Sequence, residues 1–176
     1  MVEHKIVSSK EMYKGKIFTI KQDEITLPDG KIGKRDILIH SGAAAVLPVD
    51  ENGNIILVRQ YRHPIKETIL ELPAGKLEVG EDPMLCGKRE LEEEIGYTSS
   101  DFTFMFKTAI AVGYSSEIIH IYLAKDLVKG VQNLDDGEFL DVETYTLDEV
   151  LKMIKNGEIT DSKTIATVLY YKEFYC

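Results

Sequence analysis

The stretch from Ile69 to Gly96 constrains this chain more than any other. Residues 69–81 (ILELPAGKLEVGE) interleave Pro73, Gly75 and Gly80 with Glu71, Glu78 and Glu81. Proline and glycine at that density break helix and strand periodicity alike, so the segment reads as a loop of particular shape. A helix follows at once. Asp82 is placed to cap it, Pro83 takes the first helical position, and Gly96 is placed to end it. Met84, Leu91 and Ile95 fall on one face with small Gly87 between them, giving the helix an apolar side to bury. The same helix carries Arg89, Glu90, Glu92, Glu93 and Glu94. Glu90 and Glu94 are one turn apart and share a face, which Glu93 flanks. Like charges so spaced destabilise a helix and raise each other's pKa unless something neutralises them. A hard divalent cation does this, because Mg²⁺ takes oxygen ligands and commonly bridges carboxylates to substrate phosphates. A run of acids on its own is usually just a solvated face, so the surrounding pattern decides.

With 176 residues the chain is one domain, or one domain with a small appendage, and can bury a core without disulfide or metal staples. Acids outnumber bases 30 to 21, for a net charge of −9. That argues against a nucleic-acid partner and against docking on anionic membrane. It does not exclude a small anionic substrate, since a bound metal reverses the local field. The acids are also unevenly spread: residues 71–94 carry −5 and residues 135–149 carry −7, which leaves the remainder slightly basic at +3. No apolar run approaches bilayer length, and residues 1–16 lack an apolar signal region. Cys86 and Cys176 form no CxxC pattern, so neither a disulfide framework nor a zinc site is expected, and a cytoplasmic location follows.

Along the chain, residues 16–27 and 34–40 read as two strands joined at Pro28-Asp29-Gly30, a turn with preset proline φ and a permissive glycine. Residues 1–41 therefore look like an antiparallel hairpin subdomain ahead of a main domain at 42–176. Residues 43–49, 55–60, 102–110 and 117–124 read as further strands, and 134–141 (LDDGEFLD) as an acidic loop. Two helices close the chain at about 147–156 and 161–175, with Asp161 a candidate cap. The fold class is α/β (α+β), a layered sandwich with a mixed sheet.

Counting from Gly75, five residues lead to Glu81, seven more to Arg89-Glu90-Leu91, and then come Glu93-Glu94 and Gly96-Tyr97. This spacing resembles the signature box of the Nudix hydrolases at every polar and glycine position; Tyr97 fills a slot that is usually aliphatic. The flanks Gln60-Tyr61-Arg62, Glu71 to Glu78, Ser115-Ser116-Glu117 with His120, and Asp161-x-Lys163-Thr164 look like the ADP-ribose pyrophosphatase branch, over roughly residues 10–175.

The resemblance implies an α/β/α Nudix sandwich and Mg²⁺-dependent hydrolysis of the diphosphate of ADP-ribose to AMP and ribose 5-phosphate, with Mn²⁺ as an alternative ion. It implies metal ligands at the Ala74 carbonyl, Glu90, Glu93 and Glu94, with Arg89 orienting the carboxylates. It implies a catalytic base in the acidic loop, at Glu138 or else Asp136. It also implies a homodimer whose N-terminal strands cross to the partner and complete the adenosine pocket. Phe18 would then stack on adenine or be an ordinary core aromatic. Arg35, Arg62, Glu71 and Glu117 would bind substrate, although Arg62 also fits a surface salt bridge. One departure bears on the substrate: Val112 stands where the branch usually carries proline, which leaves another nucleoside diphosphate derivative open. A non-catalytic ADP-ribose sensor is a further alternative, but such domains commonly lose box glutamates, and Glu81, Glu90, Glu93 and Glu94 are all present. Cys86 reads as a small buried hydrophobe rather than a nucleophile, and His120 as structural.

Overall fold

The computed structural model describes residues 4–176. Their contacts divide them into two compact units, one running to Gly42 and including Ala109–Ile118, the other comprising Ala43–Thr108 and Ile119–Cys176.

The first unit is a three-stranded antiparallel sheet, β1 (Lys5–Lys14), β2 (Thr19–Thr26) and β3 (Ile32–Ile39), in that order. The expected hairpin is β2–β3, and β1 is an additional strand. Every residue of β1 is exposed, and its pairing with β2 shifts register twice, so it lacks the alternation by which a half-buried strand shows itself in sequence. Residues 109–118 join this unit through backbone hydrogen bonds between Leu38 and both Tyr114 and Ser116.

The second unit holds the core. Strand β4 (Ala43–Pro48) is buried along its whole length and lies between antiparallel β7 (Ala74–Lys76) and parallel β9 (Ile118–Lys129), with β8 (Tyr97–Ala109) beyond β9. A second, antiparallel sheet runs β10 (Leu140–Tyr145), β5 (Ile55–Arg62), β6 (Glu67–Glu71). A strand covered on both faces reads as an unbroken apolar run, as β4 does. Val46, Ile56 and Val58 meet Leu91 and Ile95 of helix α1 (Pro83–Ile95). On the other face Ala45, Leu47 and Leu57 pack with Val150 of α2 (Leu147–Asn156) and with Val168 and Tyr171 of α3 (Ser162–Phe174). Helices thus cover both sides of the sheets, as expected. Asp82, Gly96 and Asp161 cap as their types suggest.

Two readings need correction. Met84 is exposed rather than on the apolar face of α1; Cys86 takes that inward position, because the face that packs is rotated toward β4 and β7. Within the acidic segment, residues from Leu140 form β10, whose partner β5 lies some eighty residues earlier and leaves no local signal.

Candidate active site

Helix α1 buries two of its acids. Glu90 is 8% and Glu94 3% exposed, because the inward face of the helix runs Cys86, Gly87, Glu90, Leu91, Glu94, Ile95. The loop ahead of it is shaped to receive them. A Cβ on Gly75 would lie 1.8 Å from Glu90 Oε1, so only glycine lets the backbone close on that carboxylate. One residue earlier, the Ala74 amide donates to Glu94 Oε2 at 2.9 Å. At the helix end, Gly96 adopts φ 70°, and a Cβ there would meet the Gln132 amide nitrogen at 2.7 Å.

Arg89 gathers the remaining carboxylates. Its Nε donates to Glu81 Oε1 at 3.1 Å, and its Nη1 to Glu90 Oε1 at 2.6 Å and to Glu93 Oε2 at 2.9 Å. Desolvation pushes the Glu90 carboxyl up to about 7 against the pull of Arg89, with the Glu93 and Glu138 charges adding to the rise. Desolvation likewise raises Glu94 to about 8, helped by Glu90 and Glu138 and opposed by the Ala74 amide and Arg62. Glu138 is therefore within electrostatic reach of both buried acids. It lies in the turn after Gly137, its amide bonded to the Asp135 carbonyl, with solvent-exposed Asp136 beside it and exposed Phe139 following. A cavity of about 330 Å³, lined by Gln60, Tyr61, Phe139 and Leu140 among others, opens beside this loop. A larger cavity, about 670 Å³ between Tyr97, Lys125 and Tyr171, contains none of the expected site residues.

Among the described residues no three acidic, histidine or cysteine groups converge into a ready-made cation cage. Arg89 draws the Glu90 and Glu93 carboxylates to itself, which accounts for this. The donor set nonetheless fits a divalent ion in its chemistry. It is made of oxygen atoms only, and two of its carboxylates are buried where their own charge is unfavourable, Glu90 against Gly75 and Glu94 against the Ala74 amide.

Arg62 and Glu71 form a second cluster. Arg62 Nε and Nη2 hold Glu71 Oε1 and Oε2 at 2.6 and 2.9 Å. Glu71 is 1% exposed, and its Oε2 also takes Lys163 Nζ at 2.5 Å. Lys163 is 3.0 Å from Asp161, and Thr164 Oγ1 accepts from the Leu72 amide at 2.9 Å. Enclosed this way, Glu71 has no surface to offer a ligand, whereas the Arg62 side chain remains partly exposed. The sequence singled out Asp161, Lys163 and Thr164 as a motif, but only folding reveals that α3 grips residues 71 and 72.

The other expected residues lie in the first unit. Phe18 is half-buried against Tyr13, with ring centroids 6.3 Å apart. Arg35 is exposed on β3 and donates to the Lys34 carbonyl. Glu117 lies 3.7 Å from His40 Nδ1, which accepts from the Gly42 amide. Cys86 in the second unit is fully buried, and desolvation pushes its thiol up to about 12, which leaves it unreactive.

A loop–helix–loop with buried, arginine-tethered carboxylates is the arrangement that the sequence resemblance implies for a metal-dependent pyrophosphohydrolase. The family comparison agrees: residues 39–168 match the NUDIX domain, and residues 5–38 match the nucleoside diphosphate sugar hydrolase N-terminal domain. The chain is 41% identical to the methanol dehydrogenase activator of Bacillus methanolicus, over 97% of this chain and 93% of that protein. It is 40% identical to the ADP-ribose pyrophosphatase of Bacillus subtilis, over 96% and 92%. A crystal structure of an ADP compounds hydrolase shares the fold with a TM-score of 0.86 at 21% identity, covering 99% of this chain and 95% of that one. The chain belongs to the Nudix family, and it is a Nudix pyrophosphohydrolase.

Proposed function

We propose that the chain hydrolyses ADP-ribose to AMP and ribose 5-phosphate with Mg²⁺, or Mn²⁺ in its place. The observation that carries this reading is the buried Glu90–Glu94 pair closed over by Gly75 and Ala74, in a chain 40% identical to an ADP-ribose pyrophosphatase. Glu90, Glu93, Glu94 and the Ala74 carbonyl would hold the ion, which supplies charge to the diphosphate oxygens and acidifies the attacking water. Arg89 keeps Glu90 and Glu93 in fixed directions, and the Ala74 amide does the same for Glu94. Glu138 takes the water's proton on its carboxylate as its loop closes over substrate, with Asp136 the alternative. Arg62 offers its outward face to the anionic substrate.

The N-terminal sheet supports a homodimer with exchanged strands: Ile6, Val7, Met12 and Tyr13 on β1 are all more than half exposed. Phe18, Arg35 and Glu117 would line the adenosine pocket of that dimer. A cytoplasmic setting suits two free cysteines. The test is Mg²⁺-dependent release of AMP from ADP-ribose by purified protein, with sedimentation to count subunits; no release with ADP-ribose ends this reading.

A second reading keeps the chemistry and changes the substrate. Val112 replaces the branch's usual proline and is exposed in the Ala111–Ser115 turn, and the relative at 41% identity is described as an activator of a dehydrogenase. Greater catalytic efficiency on another nucleoside diphosphate derivative than on ADP-ribose would favour it.

A further inference from the structure

We propose that Lys163, which cannot itself meet substrate, is a positioning residue for hydrolysis: through Glu71 it fixes the direction in which the partly exposed Arg62 guanidinium is presented to substrate. The inference rests on the pyrophosphohydrolase reading of the site and adds a residue with no expected role there.

Four charged groups form one chain, Asp161, Lys163, Glu71 and Arg62, with contacts of 3.0 Å, 2.5 Å and a bidentate 2.6 and 2.9 Å. The side chains of Lys163 and Glu71 are 10% and 2% exposed, whereas that of Arg62 is 41% exposed. Only the last member therefore reaches outward. Two of the Arg62 nitrogens are taken by Glu71, which holds the guanidinium plane and leaves Nη1 without a partner among the described residues. The clamp is joined to the box through the chain itself: Glu71, which holds Arg62, stands three residues before Ala74, whose amide bonds Glu94. A second tie keeps the relay in register. The Asp161 carboxylate caps α3 through the Thr164 amide, and Thr164 Oγ1 accepts from Leu72, two residues before the Ala74 that bonds Glu94.

Stability alone gives no reason for this arrangement. Burying Lys163 and Glu71 carries a desolvation cost that a packed apolar pair would avoid, and such groups often match or exceed a buried ion pair in stability. What the ionic version supplies is direction. A bidentate carboxylate sets the plane of an arginine, and Lys163 balances the second charge of Glu71 and Asp161, so the relay is neutral and its only outward group is cationic.

The test compares wild type, Lys163→Met, Lys163→Arg and the paired Glu71→Gln/Lys163→Met. Kinetics with Mg²⁺ and ADP-ribose are read beside the Arg62 Nε–H cross-peak in a ¹H–¹⁵N spectrum, assigned with Arg62→Lys. In Lys163→Met, KM should rise about tenfold or more while kcat stays within about threefold, as expected for loss of an oriented charged contact. The Nε–H peak should broaden or vanish, and Lys163→Arg should restore both readouts. A folded Lys163→Met protein with unchanged KM and an unchanged peak overturns the proposal. So does a loss of kcat that merely follows the fraction unfolded. If Lys163→Met does not fold, the paired variant decides, because it removes the buried Glu71 charge together with its cation and leaves Asp161 its hydrogen bonds from Thr164; wild-type KM in that variant overturns the proposal. If wild type itself does not hydrolyse ADP-ribose, the functional reading fails, and the Nε–H signal alone decides whether Lys163 holds Arg62.

Discussion

Arg89 and Arg62 each centre a charged cluster, and the two clusters are balanced differently. Arg89 alone faces Glu81, Glu90 and Glu93, with Glu94 a turn beyond, so acids outnumber bases. Around Arg62, two cations alternate with two acids along one linear chain of contacts. Glu90 and Glu94 are pushed up chiefly by desolvation, and the neighbouring acids of the same cluster add to the rise. The Arg89 cluster carries an excess of acid, the feature on which the proposed cation site rests, whereas the Arg62 cluster is neutral as folded. Both sit on the same few residues of chain, because Glu71 and Leu72 lead directly into Ala74 and Gly75.

The largest effect should come from breaking the unbalanced cluster. Glu94→Gln should lower turnover by about 100-fold or more. It should not lower the melting temperature of the metal-free protein, because it removes a charge that burial disfavours. Loss of activity together with loss of fold would mean that Glu94 is structural. The balanced cluster should respond in the opposite sense: Lys163→Met leaves Glu71 and Asp161 short of a cation and should cost about 3 kcal/mol or more in chemical denaturation.

Mg²⁺ sharpens the contrast. If the excess acid binds it, wild type should gain about 2.7 kcal/mol at an ion concentration a hundredfold above Kd. Glu94→Gln should lose most of that gain in a thermal melt, and equal stabilisation of both proteins would place the ion elsewhere. The smallest effect is expected at Arg59–Glu143, a balanced pair of the same bidentate geometry but nearer solvent. Arg59 holds the Glu143 carboxyl below its ordinary 4.5. The pair's contribution is therefore present above that value and is lost as pH falls through the lowered one. Glu143→Gln should cost less than about 1 kcal/mol at neutral pH and flatten this acid limb in a pH series of denaturation midpoints.

Much of this was legible before folding, because the box is local. Asp82, Pro83 and Gly96 delimit α1 by backbone preferences that operate within a few residues, and the capping geometry agrees. The one-turn spacing of Glu90 and Glu94 places them on one face in any helix. Other features had no local trace. Strand β1 is exposed throughout and carries no alternation; β10 depends on β5; and Met84 competes with Cys86 for the inward face on terms set by β4 and β7.

The sequence by itself determined the spacing of the box: which acids share a helix face, where the helix starts and stops, and that a glycine-containing loop precedes it. Tertiary structure decided which of those acids are buried, and so which carry an unfavourable charge, because desolvation depends on what covers a residue rather than on its neighbours in the chain. It also decided that Lys163, some ninety residues from Glu71, sits against it. That contact exists because α3 packs onto the sheet, and no pattern in the sequence measures that distance.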